Sequence, residues 1–416
     1  MTDTTRAARL NPAAGAWRLE FGFLNLGHFF THLMMLLHTV AVLQLGQVFG
    51  LSYGRALMLS APGFVAFGLG SLPAGWLGDR YSRRAMLRLF FVGIGGSAVL
   101  TGLAQTAMQL MAALFLIGLF ASIYHPVGIA MVVRGASGAG RVGRALGVNG
   151  VWGNMGIAGA ALIGGLTIDW IGWRAAFILP GLAALGTGLA YVVRLPGPAA
   201  AVASGPATGA PTAGTPDRRW VIRVMAVIAI ATLLGGINFN AVTVGLPKLF
   251  AERLPELAPG IAGVGVLVSI VAALAAFTQV LVGNLIDRYP IKPILLVMLA
   301  LQVTLLATVA QLGEVATMIV ATVMMCALFG EIPINDTLVA RVTRGGALSR
   351  VYAVKYLLTF AVSASAVPLV AVAHESYGFG ALFGLLAAFS AVAALVVLVG
   401  LPGEKRGRVV VWQQRE

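Results

Sequence analysis

Residues Gly75 to Arg84 read GWLGDRYSRR, and 208 positions later Gly283 to Lys292 read GNLIDRYPIK. Asp79 and Arg80 of the first copy match Asp287 and Arg288 of the second. A second pair of segments repeats at offset 206, where Asp169, Gly172 and Phe177 in DWIGWRAAF match Glu375, Gly378 and Phe383 in ESYGFGALF. Self-similarity at two places with nearly one offset marks a chain built from two copies of one unit. Between the copies lies LPGPAAAVASGPATGAPTAGTPDRR, residues 195–219, whose Pro, Ala and Gly content and basic ends describe a flexible linker.

Working outward from these landmarks, the flanking sequence is almost uninterrupted hydrocarbon. The 416 residues are 59% hydrophobic and 10% charged, with a mean hydropathy of +0.92, which leaves too little polar surface for a water-soluble globule. A span of bilayer takes about 20 apolar residues. Twelve such runs occur, at 20–48, 53–78, 85–104, 107–133, 141–168, 173–194, 220–250, 260–286, 291–312, 314–340, 349–373 and 377–401. They are unbroken rather than alternating, which excludes a transmembrane β-barrel. The fold class expected is an all-α polytopic membrane protein with twelve transmembrane helices in two six-helix repeats. Its expected parts are a tail at 1–19, bundles at 20–194 and 220–401 joined by the linker, and a second tail at 402–416.

A net charge of +14 raises the question of nucleic acid. The placement of the charges answers it, because they fall in alternate loops. With the N-terminus inside, 24 of the 28 Lys and Arg lie on the inner side, and only Arg55, Arg174, Lys248 and Arg253 lie outside. The positive-inside rule then places both termini in the cytoplasm of a bacterial-type inner membrane. The polar segment Met1 to Arg18 carries no signal peptide pattern, so the first run is expected to remain as a helix. One cysteine, Cys326, excludes an intramolecular disulfide and a cysteine metal site.

The pattern Gly-x-x-x-Asp-Arg-x-x-Arg-Arg after the second run, echoed after the eighth, resembles the signature loop of the major facilitator superfamily. That resemblance implies a transporter of the major facilitator fold, with a substrate site between two bundles that rock for alternating access. It also implies a conformational latch made of Gly75, Asp79, Arg80, Arg83 and Arg84, with Gly283, Asp287 and Arg288 in the second copy. Ser82 replaces the usual glycine, and Pro290 and Ile291 depart from the pattern, so the first latch is expected to be the stronger. The fifth run carries Gly147, Gly156, Ala160, Ala161, Gly164 and Gly165, which resembles the family's antiporter motif with Gly-Pro replaced by Ala160 and Ala161. Close helix packing explains the same glycines. More narrowly, GLFASIYHPVG at Gly118 to Gly128 and GHFFTH at Gly27 to His32 resemble the fosmidomycin-resistance-type branch. His28, Ser122, Tyr124, His125, Pro126 and Asn154 carry that likeness. His32 and Val127 stand where the branch has acidic residues, which argues against fosmidomycin as the substrate.

Polar side chains at membrane depth are costly and are therefore functional candidates. His28 and His32, four apart, share one face of the first helix and can relay protons or hold a ligand. Each imidazole can equally satisfy a neighbouring carbonyl. Zinc wants three or four ligands, and the first run offers no Cys or carboxylate to complete a set, so no metal and no cofactor are expected. His125 precedes Pro126, whose missing N–H invites a kink, and Tyr124 lies in the same turn. In the tenth run Glu331 lies about ten residues, roughly 15 Å, from Arg341 and is the leading candidate for loading and releasing a proton. Asp336 is shallower, and Lys355 of the eleventh run, which matches Asn149 at offset 206, is expected to pair with Asp336 or Glu331. Asn238, Asn240 and Thr243 in the seventh run and Gln279 in the eighth are further cavity candidates, with interhelical hydrogen bonding as their alternative role.

No GxxxxGK[ST] loop is present, so a gradient rather than ATP must drive transport by this chain. No convergent nucleophile and base appear, which argues against an enzyme. The reading is a secondary transporter, monomeric as a functional unit and proton-coupled, that exports a drug or small metabolite. Uptake by symport and a transport-dead receptor or assembly factor are the alternatives. The expected partners are a small-molecule substrate, protons and the lipid bilayer.

Overall fold

The computed structural model describes residues 12–137, 142–197, 218–342 and 348–402. All regular elements among them are helical. The first half contains α1 (Pro12–Phe49), α2 (Tyr53–Met58) with α3 (Ala61–Arg80), α4 (Arg83–Leu103), α5 (Ala107–Ala121) with α6 (Tyr124–Ser137), α7 (Val142–Trp170) and α8 (Trp173–Arg194). The second contains α9 (Arg218–Arg253), α10 (Gly260–Arg288), α11 (Ile291–Thr308), α12 (Glu314–Val342) and α13 (Leu348–Gly400). The linker lies largely outside the described residues, and α1 begins at Pro12, within the stretch read as a tail.

Among the described residues, 11 helical segments are long and apolar enough to cross a membrane. The twelfth is contained in α13. Its 53 residues would reach about 80 Å as one rod, against a hydrocarbon core of about 30 Å. At Gly378 the backbone turns to φ 75° and ψ 178°, a conformation that only glycine adopts without strain, and the helix reverses there into two spans. Gly172, its match at offset 206, does the same between α7 and α8 with φ 109°.

Polar caps start the helices where sequence permits. The side-chain oxygens of Ser82 and Thr106 accept from the amides of Ala85 and Gln109 at the starts of α4 and α5. The fourth run is broken between α5 and α6, just before Pro126, where proline cannot supply the N–H that would bond the Ser122 carbonyl. Lipid offers no hydrophobic drive for helix pairing, so small residues bring backbones together. A Cβ on Gly95 of α4 would sit 2.7 Å from the carbonyl oxygen of Gly181 on α8. Large apolar residues such as Leu69, Phe277, Leu281 and Leu395 face outward, as a lipid-exposed surface requires.

The halves meet closely at the end of the bundle that carries Asp169. There a Cβ on Gly165 of α7 would lie 2.9 Å from the Cα of Gly265 on α10. The Asp169 carboxylate accepts from the amide of Ala262 in the first turn of α10 at 2.7 Å, where the helix dipole favours negative charge. Glu375, the match of Asp169, packs its carboxyl against Gly54 in the first turn of α2. Gly54 in turn precedes Ala262 by 208 positions, so each half offers an acid to the start of a helix in the other. Beside this pair the Tyr53 ring takes His374 edge-on at 5.1 Å and Lys248 over its face at 5.3 Å.

Candidate functional site

Two buried polar clusters form, one in each half. In the first, α1 brings His28 and His32 together on one face, with Nε2 to Nε2 at 3.2 Å. The break before Pro126 turns His125 of α6 toward them, with ring centroids 5.3 Å from His28 and 5.5 Å from His32. One nitrogen from each of the three imidazoles lies within 4.8 Å of the others. His28 Nδ1 is 2.8 Å from the backbone carbonyl of Asn149 on α7. A carbonyl only accepts, so Nδ1 carries the proton and Nε2 presents its lone pair to His32.

Tyr124 holds this arrangement in place. Its ring stacks on His28 at 5.0 Å, while its hydroxyl donates to the Leu24 carbonyl at 2.7 Å and accepts from Asn149 Nδ2 at 2.9 Å. Asn149 Nδ2 also donates to Asn25 Oδ1 at 2.9 Å. Phe67 of α3 meets the His125 ring edge-on at 5.7 Å. Gly153 of α7 leaves the space that the His28 ring edge fills, since a Cβ there would be 2.6 Å from Nε2.

In the second cluster Glu331 is only 3% exposed. Gln302 Nε2 donates to its Oε2 at 2.9 Å, and Asn335 Nδ2 donates to its Oε1 at 3.1 Å. Ser390 donates to Gln302 Oε1 at 3.0 Å and accepts from Asn238 Nδ2 at 2.7 Å, so the chain of bonds runs through α12, α11, α13 and α9. Gly235 of α9 abuts the Glu331 carboxyl. Asn335 Oδ1 is buried with no partner among the described residues. The side chains of Asp336 and Lys355, and with them the expected ion pair, lie outside those described.

The remaining sequence candidates scatter. His38, a further histidine of α1 that was not among those candidates, is bonded to the Ala56 carbonyl at 2.9 Å, a structural use of the ring. Asn240 and Thr243 bond carbonyls of their own helix, at Gly236 and Phe239. Asn154 and Gln279 are half-buried. At the other end of the bundle Arg83 reaches Asp79 at 2.5 Å, and Arg84 grips Glu20 of α1 with two bonds of 2.7 and 3.1 Å. Gly75 packs against Pro126, with a Cβ 3.2 Å from its ring, so the loop motif and the broken helix touch. A Cβ on Gly283, by contrast, would meet nothing within 4 Å, and Asp287 and Arg288 are exposed.

Sequence reasoning missed Gln302, Ser390, the bond from Asn335 to Glu331, and Glu20. Gln302 was discoverable as the amide in the middle of the ninth run, Gln311 lying at its end. The same reasoning named His125 but did not join it to His28 and His32, because that set is completed from a different helix, α6.

The sequence pattern of the Major Facilitator Superfamily matches residues 24–330 and again 228–416. The chain belongs to this family. Its members are membrane transporters rather than enzymes, and this chain is an integral membrane protein with that fold. The fold is shared with a bacterial homologue of the human lysosomal transporter Spinster in an inward-facing and occupied conformation, at a TM-score of 0.73 and 14% identity, over 91% of this chain and 96% of that one. An inward-facing, unoccupied structure of the homologue aligns at 0.66, also 14% identical, over 92% and 95%. The tetracenomycin C resistance and export protein of Streptomyces glaucescens is 34% identical over 132 residues, 30% of this chain and 24% of that protein. The puromycin resistance protein pur8 of Streptomyces alboniger is 32% identical over 110 residues, 26% of this chain and 22% of that one. The matched stretch thus spans about a quarter of each of these two relatives.

Proposed function

We propose that this superfamily member is a proton-coupled exporter of small amphipathic or anionic solutes, monomeric as a functional unit, in a bacterial-type inner membrane with both termini cytoplasmic. The observation that carries coupling is Glu331, a buried carboxyl held by two amide donors and no described cation. An amide carries a donor and an acceptor on one carbon. A half turn of Asn335 would offer its unpartnered Oδ1 to a protonated Glu331, so the cluster can satisfy both states of the acid. Burial makes the ionised form costly, and proton uptake or release at this point therefore weighs on the packing of four helices.

Alternating access follows from the interface. The Asp169 end is closed by backbone contact and by acids set on helix starts, all of which can separate as the halves rock. Export is supported by the resistance and export proteins among the relatives and by the glycines of α7, several of which pack against α1 and α10. The likeness of Tyr124, His125 and Pro126 to the fosmidomycin-resistance-type branch adds to the same reading.

The test is accumulation of labelled aromatic antibiotics and organic anions in cells with and without the protein, each with and without a protonophore. Lower accumulation that the protonophore abolishes is expected. Higher accumulation with the same sensitivity would replace export with symport. Glu331→Gln is expected to keep solute exchange in vesicles and lose gradient-driven pumping. Full pumping by that variant would remove Glu331 from coupling.

A further inference from the structure

The histidine cluster has a geometry that proton relay does not require. A tetrahedral ion with metal–nitrogen bonds of about 2.0–2.1 Å holds its ligand nitrogens about 3.3–3.4 Å apart. The Nε2 atoms of His28 and His32 are already 3.2 Å apart, and the His125 nitrogen lies within 4.8 Å of both. The bond from His28 Nδ1 to the Asn149 carbonyl fixes the tautomer and aims Nε2, which is how proteins orient a ligating imidazole. Tyr124 stacked on the ring, and Gly153 leaving room at Nε2, hold the aim. The cluster is drawn from α1 and α6, two helices of one half, so rocking of the halves need not disassemble it.

We propose that His28, His32 and His125 bind one borderline divalent transition-metal ion, with a fourth position filled by an anionic oxygen donor of the transported solute. Three neutral imidazoles suit zinc, cobalt, nickel or copper and not the oxygen-seeking calcium or magnesium. Three protein ligands with one open position is the pattern of sites that exchange a ligand rather than of closed structural sites. The charge balance selects the fourth donor. A divalent ion on neutral ligands at membrane depth is costly, and the three imidazoles contribute no negative charge. An anionic oxygen donor offsets it, and a chelating donor such as a hydroxamate brings a second oxygen that expands the ion to five-coordinate, so the cargo is a metal chelate. This rests on the transporter reading and names its substrate class.

The first arm uses purified, tag-free, full-length protein in detergent, titrated with cobalt and read by the visible bands of tetrahedral cobalt, then displaced with zinc. One equivalent is expected to bind. His32→Ala and His125→Ala are expected to weaken it at least tenfold, and Gly153→Ala to weaken it by crowding Nε2. His38→Ala, whose ring serves Ala56, is the matched control and keeps full affinity. Thermal unfolding of each variant separates lost ligands from lost fold, and a folded His32→Ala that binds as tightly as the parent overturns the site. Absence of cobalt binding overturns it too, while leaving the protonophore result on export untouched. The second arm measures radiolabelled zinc in proteoliposomes with and without acetohydroxamate. Zinc movement that needs acetohydroxamate supports the chelate as cargo. Movement that ignores it overturns the chelate and leaves the bare ion as cargo.

Discussion

Replacing Gly165 with valine is expected to hold the Asp169 end of the transporter open. An ideal Cβ at Gly165 would lie 2.7 Å from the Ile261 carbonyl oxygen and 2.9 Å from the Gly265 Cα, where ordinary contacts are 3.4–4 Å. Both obstacles are backbone of α10, so no side chain can rotate aside, and α10 must retreat by about 0.5 to about 1.3 Å. Overpacking of this kind costs about 1–3 kcal/mol. Because α7 and α10 belong to opposite halves, the cost falls on the closed state alone and is relieved when the halves part. A bias of that size changes the closed-to-open ratio by about 5-fold to about 140-fold. Spin labels at Gln105→Cys and Glu256→Cys, exposed at that end in opposite halves, report the separation in a Cys326→Ser background. Gly165→Val should move the distance distribution outward, and Gly165→Ala should do so by less. An unchanged distribution in a folded valine variant would refute the argument that closure depends on this backbone contact.

Asp169→Asn removes the charge from the start of α10 while keeping an acceptor, and should open the same end by a bias of about 0.3–1 kcal/mol, smaller than that of Gly165→Val on the same labels. Tyr124→Phe leaves the buried Leu24 carbonyl and Asn149 amide each short of a partner, and should cost about 1–3 kcal/mol, read as a lower unfolding temperature in detergent. Gly378→Ala forces a side chain into φ 75°, and should cost about 1–3 kcal/mol on the same measurement, while Gly380→Ala, two residues on with open space at its Cβ, should not.

Hydropathy alone yields the spans, because twenty apolar residues in a row have few other fates. It also explains why the last two spans are separable: ESYGFGALF repeats DWIGWRAAF, and both glycines take the left-handed turn. Site residues were legible where one helix suffices. His28 and His32 are a pair by spacing, and Glu331 stands out as a carboxyl in an apolar run. What joins them to their neighbours was not legible, because it depends on which faces of distant helices meet. His125 reaches the pair only through the break at Pro126. Gln302 and Ser390 look like stray polar residues until α11 and α13 bring them to Glu331 and Asn238. The Arg84 fork to Glu20 needs α4 to pack beside α1, and no local pattern announces it.

The duplication suggests how one niche came to hold two chemistries. Tyr124 stands two residues before Pro126, and Glu331 stands two residues before Pro333, at an offset of 207. Gly27 of α1 presses on Tyr124, where a Cβ would lie 2.8 Å from the ring, and Gly235 of α9, 208 positions later, presses on Glu331. In both halves, then, a glycine of the first helix makes room for the polar residue that precedes the proline of the fourth run. In one half that residue is a phenol, stacked on an imidazole and bonded to the loop of residues that orients it. In the other it is a carboxyl in a net of amides. On the proposed reading the first half holds the cargo and the second holds the proton. Neither cluster shares a described hydrogen bond with the other, so the two must communicate through the closure of the interface between them. On that reading the control of coupling lies at Gly165, Gly265 and the acid-to-helix contacts of Asp169 and Glu375, none of which belongs to either cluster. A variant that loosens this end should therefore let cargo exchange continue while uncoupling it from the proton, with both clusters intact.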